Sequence, residues 1–261
     1  MAKAETITSA ANPLLKDVRR AIARGGLTDR GWCVAETFHL WEEAVRSHCD
    51  VKLVLAAESQ ASRIEGMKVA VVPDALLRSV AGTESSPGVI ALVQPPEWKL
   101  EDLFRDNPLV VVLDGLQDPG NAGTIVRAAE AFGATGAIFM KGTASPYNSK
   151  TLRASAGSLF RLPLLYGMDA ELAREALQQN AVGLFAGVPA RAGEPSRRLA
   201  EVDLTGRCAL IIGNEARGVS DPLLAVSQGV SIPTVGVESL NAAMAAGILL
   251  YEARRQRTVK P

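Results

Sequence analysis

Short apolar runs alternate with helix-like segments along the second half of the chain. Such runs are typical of strands buried on both faces of a parallel sheet, and the segments between them repeat apolar residues at the helical period. The predicted strands are 107–116, 137–140, 182–187, 208–213 and 229–233, and the predicted helices are 123–132, 148–160, 169–180 and 239–257. This alternation predicts an α/β fold with a mainly parallel sheet that helices cover on both faces.

The first 95 residues carry a second, smaller α/β pattern. Helices are predicted at 13–23 and 37–47, and strands at 32–35, 51–56, 69–72 and 89–93. The segment QPPEW follows, and its paired prolines interrupt both helix and strand. We therefore predict a smaller N-terminal α/β domain over 1–95, a linker over 96–107 and a larger domain over 108–261.

Composition bounds the class of protein without naming a partner. The 261 residues are 48% hydrophobic and 21% charged, an ordinary globular mixture. Lys and Arg together number 28, as do Asp and Glu, so a basic surface for nucleic acid can only be local. Arg19, Arg20, Arg24 and Arg30 lie close together in the sequence and predict such a surface.

Cysteine usage and the apolar segments indicate the cellular setting. Cys33, Cys49 and Cys208 are too few and too scattered for a disulfide framework or a zinc site, which fits a reducing cytosol. The first ten residues lack the apolar stretch of a signal peptide, and the apolar run at 242–251 is shorter than a membrane span. These features predict a soluble cytoplasmic protein with no membrane contact and no metal site.

Three segments at the ends of predicted strands carry residue types that bind ligands. They are DGLQDPGNAGTIVRAAEAFG at 114–133, LIIGNEARGVS at 210–220 and IPTVGVESLNAAMAAGILLYEA at 232–253. Ligands in open α/β sheets bind at the carboxyl ends of strands, where Glu215 is predicted to lie. Each segment also has a plain structural interpretation: a capped turn with a surface arginine, a solvated glutamate, and a buried core helix. No G-x-G-x-x-G or G-K-[ST] pattern is present, which argues against a dinucleotide-dependent oxidoreductase.

Together, the three segments resemble the motifs of the SpoU (TrmH-like) family of RNA ribose 2′-O-methyltransferases, part of the SPOUT superfamily. The shared motifs are N-x-G-x-x-x-R at Asn121, Gly123 and Arg127, G-x-E-x-x-G at Gly213, Glu215 and Gly218, and I-P…S-L-N at Ile232, Pro233, Ser239, Leu240 and Asn241. The resemblance covers roughly 108–257. Residues 1–95 also resemble the family's N-terminal substrate-binding domain, notably in CVAETFHLWEEAV and SPGVIALV.

The resemblance implies a trefoil-knotted C-terminal domain, S-adenosylmethionine as methyl donor, and a homodimer whose subunits share sites. The cofactor-binding residues it implies are Gly213, Asn214, Gly218, Ile232, Pro233 and Leu240. The catalytic residues it implies are Asn121, Arg127, Glu215, Ser239 and Asn241. We expect Asn121 and Glu215 to hold Arg127 in place. The resemblance also implies that Arg127 could be the base that removes the proton of the 2′-hydroxyl. A guanidinium stays protonated, so we favour a role for Arg127 as a clamp on an RNA phosphate.

The predicted activity is methylation of a ribose 2′-hydroxyl in RNA. We favour 23S rRNA because an N-terminal domain of this kind resembles the rRNA-directed branches of the family. Two alternatives remain: a tRNA substrate, and a non-catalytic RNA-binding protein that keeps the fold. A non-catalytic protein would carry a broken motif, and all three motifs are intact in this sequence.

Overall fold

The computed structural model describes residues 5–82, 86–189 and 196–258. Contacts divide the chain into two compact units. Unit 1 lies within Met1–Glu97 and Ser145–Arg161, and unit 2 lies within Trp98–Ala144 and Leu162–Pro261. Residues 145–161, which our sequence-based division assigned to the larger domain, thus pack with the N-terminal residues.

The regular elements of the described residues agree with most of the predicted ones. The strands are β1 Glu5–Thr6, β2 Cys33–Ala35, β3 Val51–Ala57, β4 Val69–Val72, β5 Val89–Val93, β6 Leu109–Asp114, β7 Gly136–Met140, β8 Leu164–Met168, β9 Gly183–Gly187, β10 Arg197–Arg198, β11 Cys208–Gly213 and β12 Gln228–Ser231. The α-helices are α1 Pro13–Arg24, α2 Phe38–Arg46, α3 Asp74–Val80, α4 Leu100–Leu103, α5 Pro119–Ala131, α6 Ser149–Ser155, α7 Ala170–Gln179, α8 Asp221–Leu224 and α9 Ala242–Thr258. Sequence patterns missed the short elements β1, α3, β10 and α8, the edge strand β8, and α4, which lies in the segment predicted as a linker.

Unit 1 contains a five-stranded mixed sheet in the order β1-β4-β3-β5-β2. β4 runs parallel to β1 and β3, whereas β5 runs antiparallel to β2 and β3. α1 begins at Pro13, where the Asn12 side chain accepts a hydrogen bond from the Leu14 N–H, and it ends at Gly25 with φ of 64°. Its Leu15 and Val18 are buried against the apolar face of this sheet.

Two ion pairs between partly exposed arginines and buried carboxylates hold residues 145–161 within unit 1. Arg153 lies 2.5 Å from the carboxylate of Glu36, which is fully buried, and Arg161 lies 2.6 Å from the carboxylate of Glu43, which is nearly so. The single helix predicted over 148–160 instead ends at Ser155, because Ala156 and the next residue adopt left-handed φ of 49° and 93°. A 3₁₀ turn, Ser158–Phe160, follows.

Unit 2 contains a seven-stranded sheet in the order β10-β12-β9-β11-β6-β7-β8. All its strand pairs in the described residues are parallel, which confirms the predicted parallel sheet. The central strands are almost fully buried, as their apolar runs predicted, and β6 is buried at all six positions. The edge strand β8 escaped prediction because it lacks such a run and exposes Tyr166 and Gly167.

Helix α9 packs against α5 and against the sheet of unit 2. The ring of Tyr251 meets that of Phe132, which follows α5, edge to face at 5.8 Å. α9 begins at Ala242, three residues later than predicted, because Asn241 caps it: the Asn241 Oδ1 accepts hydrogen bonds from the Ala243 and Met244 N–H groups at 2.9 and 3.3 Å. The residues before Asn241 are therefore free to form a loop.

The structure also bears on membranes, metals and thiols. No helix in the described part of the chain is long and apolar enough to cross a membrane. In the same part, no three His, Cys, Asp or Glu residues are grouped so that they could hold a metal ion. Cys33, Cys49 and Cys208 are free thiols, and burial raises the pKa of Cys33 to about 12.

Candidate active site

A cavity of about 480 Å³ opens at the carboxyl ends of β9, β11 and β12 in unit 2. Strand-end loops and the first turns of α9 form its walls. The predicted site residues that line it are Gly213, Asn214, Glu215, Gly218, Ile232, Ser239, Leu240 and Asn241. Asn121, Arg127 and Pro233, which we also predicted in the site, are not among its lining residues.

The second motif folds into a tight turn at the end of β11. The backbone groups of Asn214 and Gly218 exchange two hydrogen bonds, of 2.9 and 2.8 Å. The Asn214 Oδ1 accepts from the N–H groups of Ala216 and Arg217, and its Nδ2 donates to the Gly115 carbonyl at 2.8 Å. One asparagine thus closes the turn and ties it to the loop of the first motif.

Gly213 and Gly218 are required by the geometry of this turn. A Cβ on Gly213 would lie only 2.3 Å from the carbonyl carbon of Gly218, which no real structure tolerates. Gly218 adopts a φ of 73°, a left-handed conformation that side chains disfavour. The group that comes closest to Gly213 is thus the turn's own backbone.

The three motifs are joined by a chain of side-chain hydrogen bonds. The Asn121 Nδ2 donates to Glu215 Oε1 at 3.0 Å, and Asn241 Nδ2 donates to the Asn121 Oδ1 at 3.1 Å. Asn121 is available for this role because Asp118 caps α5 in its place, accepting from the N–H groups of Gly120 and Asn121. Asn121 therefore positions the two cavity-lining side chains although it does not line the cavity itself.

Arg127 lies on an exposed part of α5. The expected contacts from Asn121 and Glu215 to Arg127 are not formed, since these two side chains bond to each other. Within residues 5–82, 86–189 and 196–258, the Arg127 guanidinium has no hydrogen bond or ion pair. The reason is helical geometry: six residues on from Asn121, a side chain points about 240° around the helix.

Sequence patterns missed several residues that line the cavity. Gly187 ends β9, and Val188 and Pro189 follow it. The place of these three residues in the wall depends on β9 pairing with β11 and β12. Arg217 and Glu238 also line the cavity and are exposed. The only available signal was their position within the segments of the second and third motifs. With Glu215, they make a mixed-charge rim above apolar walls.

The sequence profile of the SpoU rRNA Methylase family matches residues 108–251, more than half of the chain. The chain belongs to this family. The matched region starts just before β6, ends within α9 and includes every motif residue described above. The cavity of this SpoU methylase is therefore formed by the part of the chain that defines the family.

Individual relatives extend the similarity to the N-terminal residues. The 23S rRNA (guanosine(2553)-2′-O)-methyltransferase RlmP of Bacillus subtilis is 33% identical, over 95% of this chain and 98% of its own length. The 23S rRNA (uridine(2479)-2′-O)-methyltransferase of Streptomyces viridochromogenes is 36% identical, over 73% of this chain and 68% of its own. A crystal structure of an AdoMet-bound rRNA methyltransferase from Sinorhizobium meliloti superposes with a TM-score of 0.85 at 27% identity, covering 97% of this chain and 98% of that one.

Proposed function

We propose that this SpoU methylase transfers a methyl group from S-adenosylmethionine to a ribose 2′-hydroxyl of 23S rRNA. The observation that carries the proposal is the hydrogen-bond chain Glu215–Asn121–Asn241, which joins all three motifs at one cavity. Family membership supports the reaction class. The two relatives named above modify a guanosine and a uridine, which supports 23S rRNA while leaving the target nucleotide of this enzyme open.

The cavity fits S-adenosylmethionine in size and in chemistry. Its volume of about 480 Å³ lies within the range of about 300–1,000 Å³ typical of small-molecule sites. Ile232 and Leu240 supply apolar surface for an adenine ring, and the turn from Gly213 to Gly218 supplies backbone groups. Carboxylates at Glu215 and Glu238 complement a cationic ligand. When bound, the cofactor supplies a methyl group already activated on a sulfonium.

The remaining work of the protein is to orient the ribose and to stabilise charge. We assign Asn121 and Glu215 to positioning, since they bond to each other, and Ser239 and Asn241 to contacts with ribose or cofactor at the rim. Arg127 clamps an RNA phosphate and stabilises the emerging alkoxide. Holding reactants in line supplies much of the barrier reduction in such a displacement.

A second copy of the chain completes the site in this proposal. Arg127 lies outside the cavity of its own chain, so a homodimer is the arrangement that would bring it to a bound RNA at the partner's cavity. Helix α9 exposes Met244 and Tyr251, each more than half accessible, as apolar surface for that contact. We also propose that this domain contains the trefoil knot. The chain path supports it: β12 pairs with β9, and the chain then runs on into α9, which packs against α5.

We assign RNA binding outside the cavity to residues 1–95. The four arginines predicted to form a basic surface are not equally free to contact RNA phosphates. Arg20 pairs with Asp29 at 2.7 Å, and Arg19 donates to Ser79. Arg24 is exposed and has no hydrogen bond or ion pair to any other described residue, which favours it as a phosphate contact. Because the proposed substrate is ribosomal RNA, we also propose that the enzyme acts in the cytoplasm.

Mapping of 2′-O-methyl groups in RNA from cells with and without the gene tests the proposal. One 23S rRNA position should lose its methyl group in the deletion strain and regain it with purified enzyme and S-adenosylmethionine. If the deletion strain instead lost a methyl group from tRNA, the substrate would be tRNA and not 23S rRNA. Tight RNA binding without any methyl transfer would favour the non-catalytic alternative.

A further inference from the structure

The side chain of Arg217 extends between two of the motif loops. It lines the cavity, and its Nη2 lies 4.0 Å from the position that a Cβ on Gly115 would occupy. Gly115 belongs to the loop of the first motif, whereas Arg217 lies in the turn of the second. The guanidinium therefore lies where a molecule bridging both loops would pass.

This guanidinium is not used by the fold. In the described ranges it makes no hydrogen bond and no ion pair, although two other charged side chains, Glu215 and Glu238, share the cavity wall. Glu215 instead accepts from Asn121. The turn is held by the backbone N–H of Arg217, which donates to Asn214 Oδ1 at 3.0 Å, so the side chain contributes nothing to it.

We propose that Arg217 binds a phosphate of the RNA next to the ribose that is methylated. The inference rests on the proposed function, because it concerns the RNA at the same cavity. S-adenosylmethionine carries a sulfonium, an ammonium and one carboxylate, for a net charge of +1, so a nearby cation does not favour it. RNA is the anionic reactant, and a phosphate is attached beside each 2′-hydroxyl. A guanidinium offers five donors in a planar fork that suits a phosphate.

The proposed role differs from that of Arg127. Arg217 is at the rim of its own chain's cavity, whereas Arg127 is not among the residues that line it. The two guanidiniums would thus contact the RNA from two subunits. Arg217 is assigned as a substrate-binding residue, so its removal should affect RNA affinity more than cofactor affinity.

The test compares Arg217→Ala and Arg217→Lys with wild type and with Arg105→Ala. Arg105 is an exposed arginine on the α4 side of unit 2 that does not line the cavity, so its variant matches the loss of charge. Affinity for purified, unmodified 23S rRNA is measured over a series of salt concentrations. Affinity for S-adenosylhomocysteine is measured by calorimetry, and folding by thermal unfolding.

Arg217→Ala should weaken RNA binding about 10- to 100-fold, as expected for loss of a charged hydrogen bond, and lower the salt slope by about one unit. Affinity for S-adenosylhomocysteine and thermal unfolding should stay unchanged. Arg217→Lys should keep the salt slope but recover affinity only in part, because an ammonium lacks the fork. RNA affinity equal to that of Arg105→Ala would overturn the inference, as would a loss confined to S-adenosylhomocysteine. A wild-type enzyme that neither binds nor methylates RNA would overturn the proposed function and this inference with it.

Discussion

Replacing Gly213 by alanine tests the link between the second-motif turn and the cofactor site. The added Cβ would lie 2.3 Å from the Gly218 carbonyl carbon, 2.4 Å from the Val219 nitrogen and 2.5 Å from the Gly218 oxygen. All three contacts are to backbone, so no side-chain rotation relieves them. The turn must open, and the two backbone hydrogen bonds between Asn214 and Gly218 must lengthen or break.

The expected magnitude follows from those two bonds. Each is worth about 0.5–1.5 kcal/mol, which places the cost of opening the turn at about 1–3 kcal/mol. The free energy of unfolding of Gly213→Ala should therefore fall by about 1–3 kcal/mol. If only the closed turn binds the cofactor, the Kd for S-adenosylhomocysteine should rise as well, because fewer molecules have the turn closed.

Isothermal titration of Gly213→Ala beside Gly206→Ala measures this effect. Gly206 is a matched control because a Cβ there meets nothing within 4 Å. The control should bind S-adenosylhomocysteine as wild type does. A Gly213→Ala protein with wild-type affinity and unchanged thermal unfolding would refute the reasoning, since the turn would then tolerate the methyl group or lie outside the cofactor site.

Three further predictions concern catalysis, assembly and stability. Arg127→Ala should lower single-turnover methylation about 10²–10⁴-fold with S-adenosylhomocysteine affinity unchanged. If Arg127 clamps a phosphate, the pH–rate profile of Arg127→Lys keeps the shape of the wild-type profile. A titration step that disappears in Arg127→Lys would instead identify Arg127 as a base. Sedimentation should give a mass near twice 27.5 kDa, and a monomer at micromolar concentration would contradict the shared site. Arg153→Met should lower the free energy of unfolding by about 2–3 kcal/mol in urea titrations, since it leaves the buried Glu36 unpaired; this is below the about 3–5 kcal/mol of a fully buried pair because Arg153 is 28% exposed.

Local sequence patterns were sufficient to predict the strands that consist of continuous apolar runs. The strand at Val89–Val93 was predicted to the residue, and the runs at β6 and β11 were recognised because strands covered on both faces need apolar side chains at every position. β8 and α3 were missed, since an exposed edge strand and a helix of two turns carry little periodicity. The start of α9 was misplaced because the Asn241 side chain caps the helix, and hydrophobic periodicity does not reveal such a cap.

The sequence by itself determined the α/β class, the parallel sheet, and the three motifs that place the chain in its family. These depend on residue type and on short spacings, which are local properties. The tertiary structure alone decided that 145–161 pack with unit 1, that Asn121 bonds to Glu215 rather than to Arg127, and that Arg217 and Glu238 reach the cavity. Each of these depends on pairing between segments distant in the chain, such as β9 with β12, and the side chains that such pairing brings together have no fixed spacing in sequence.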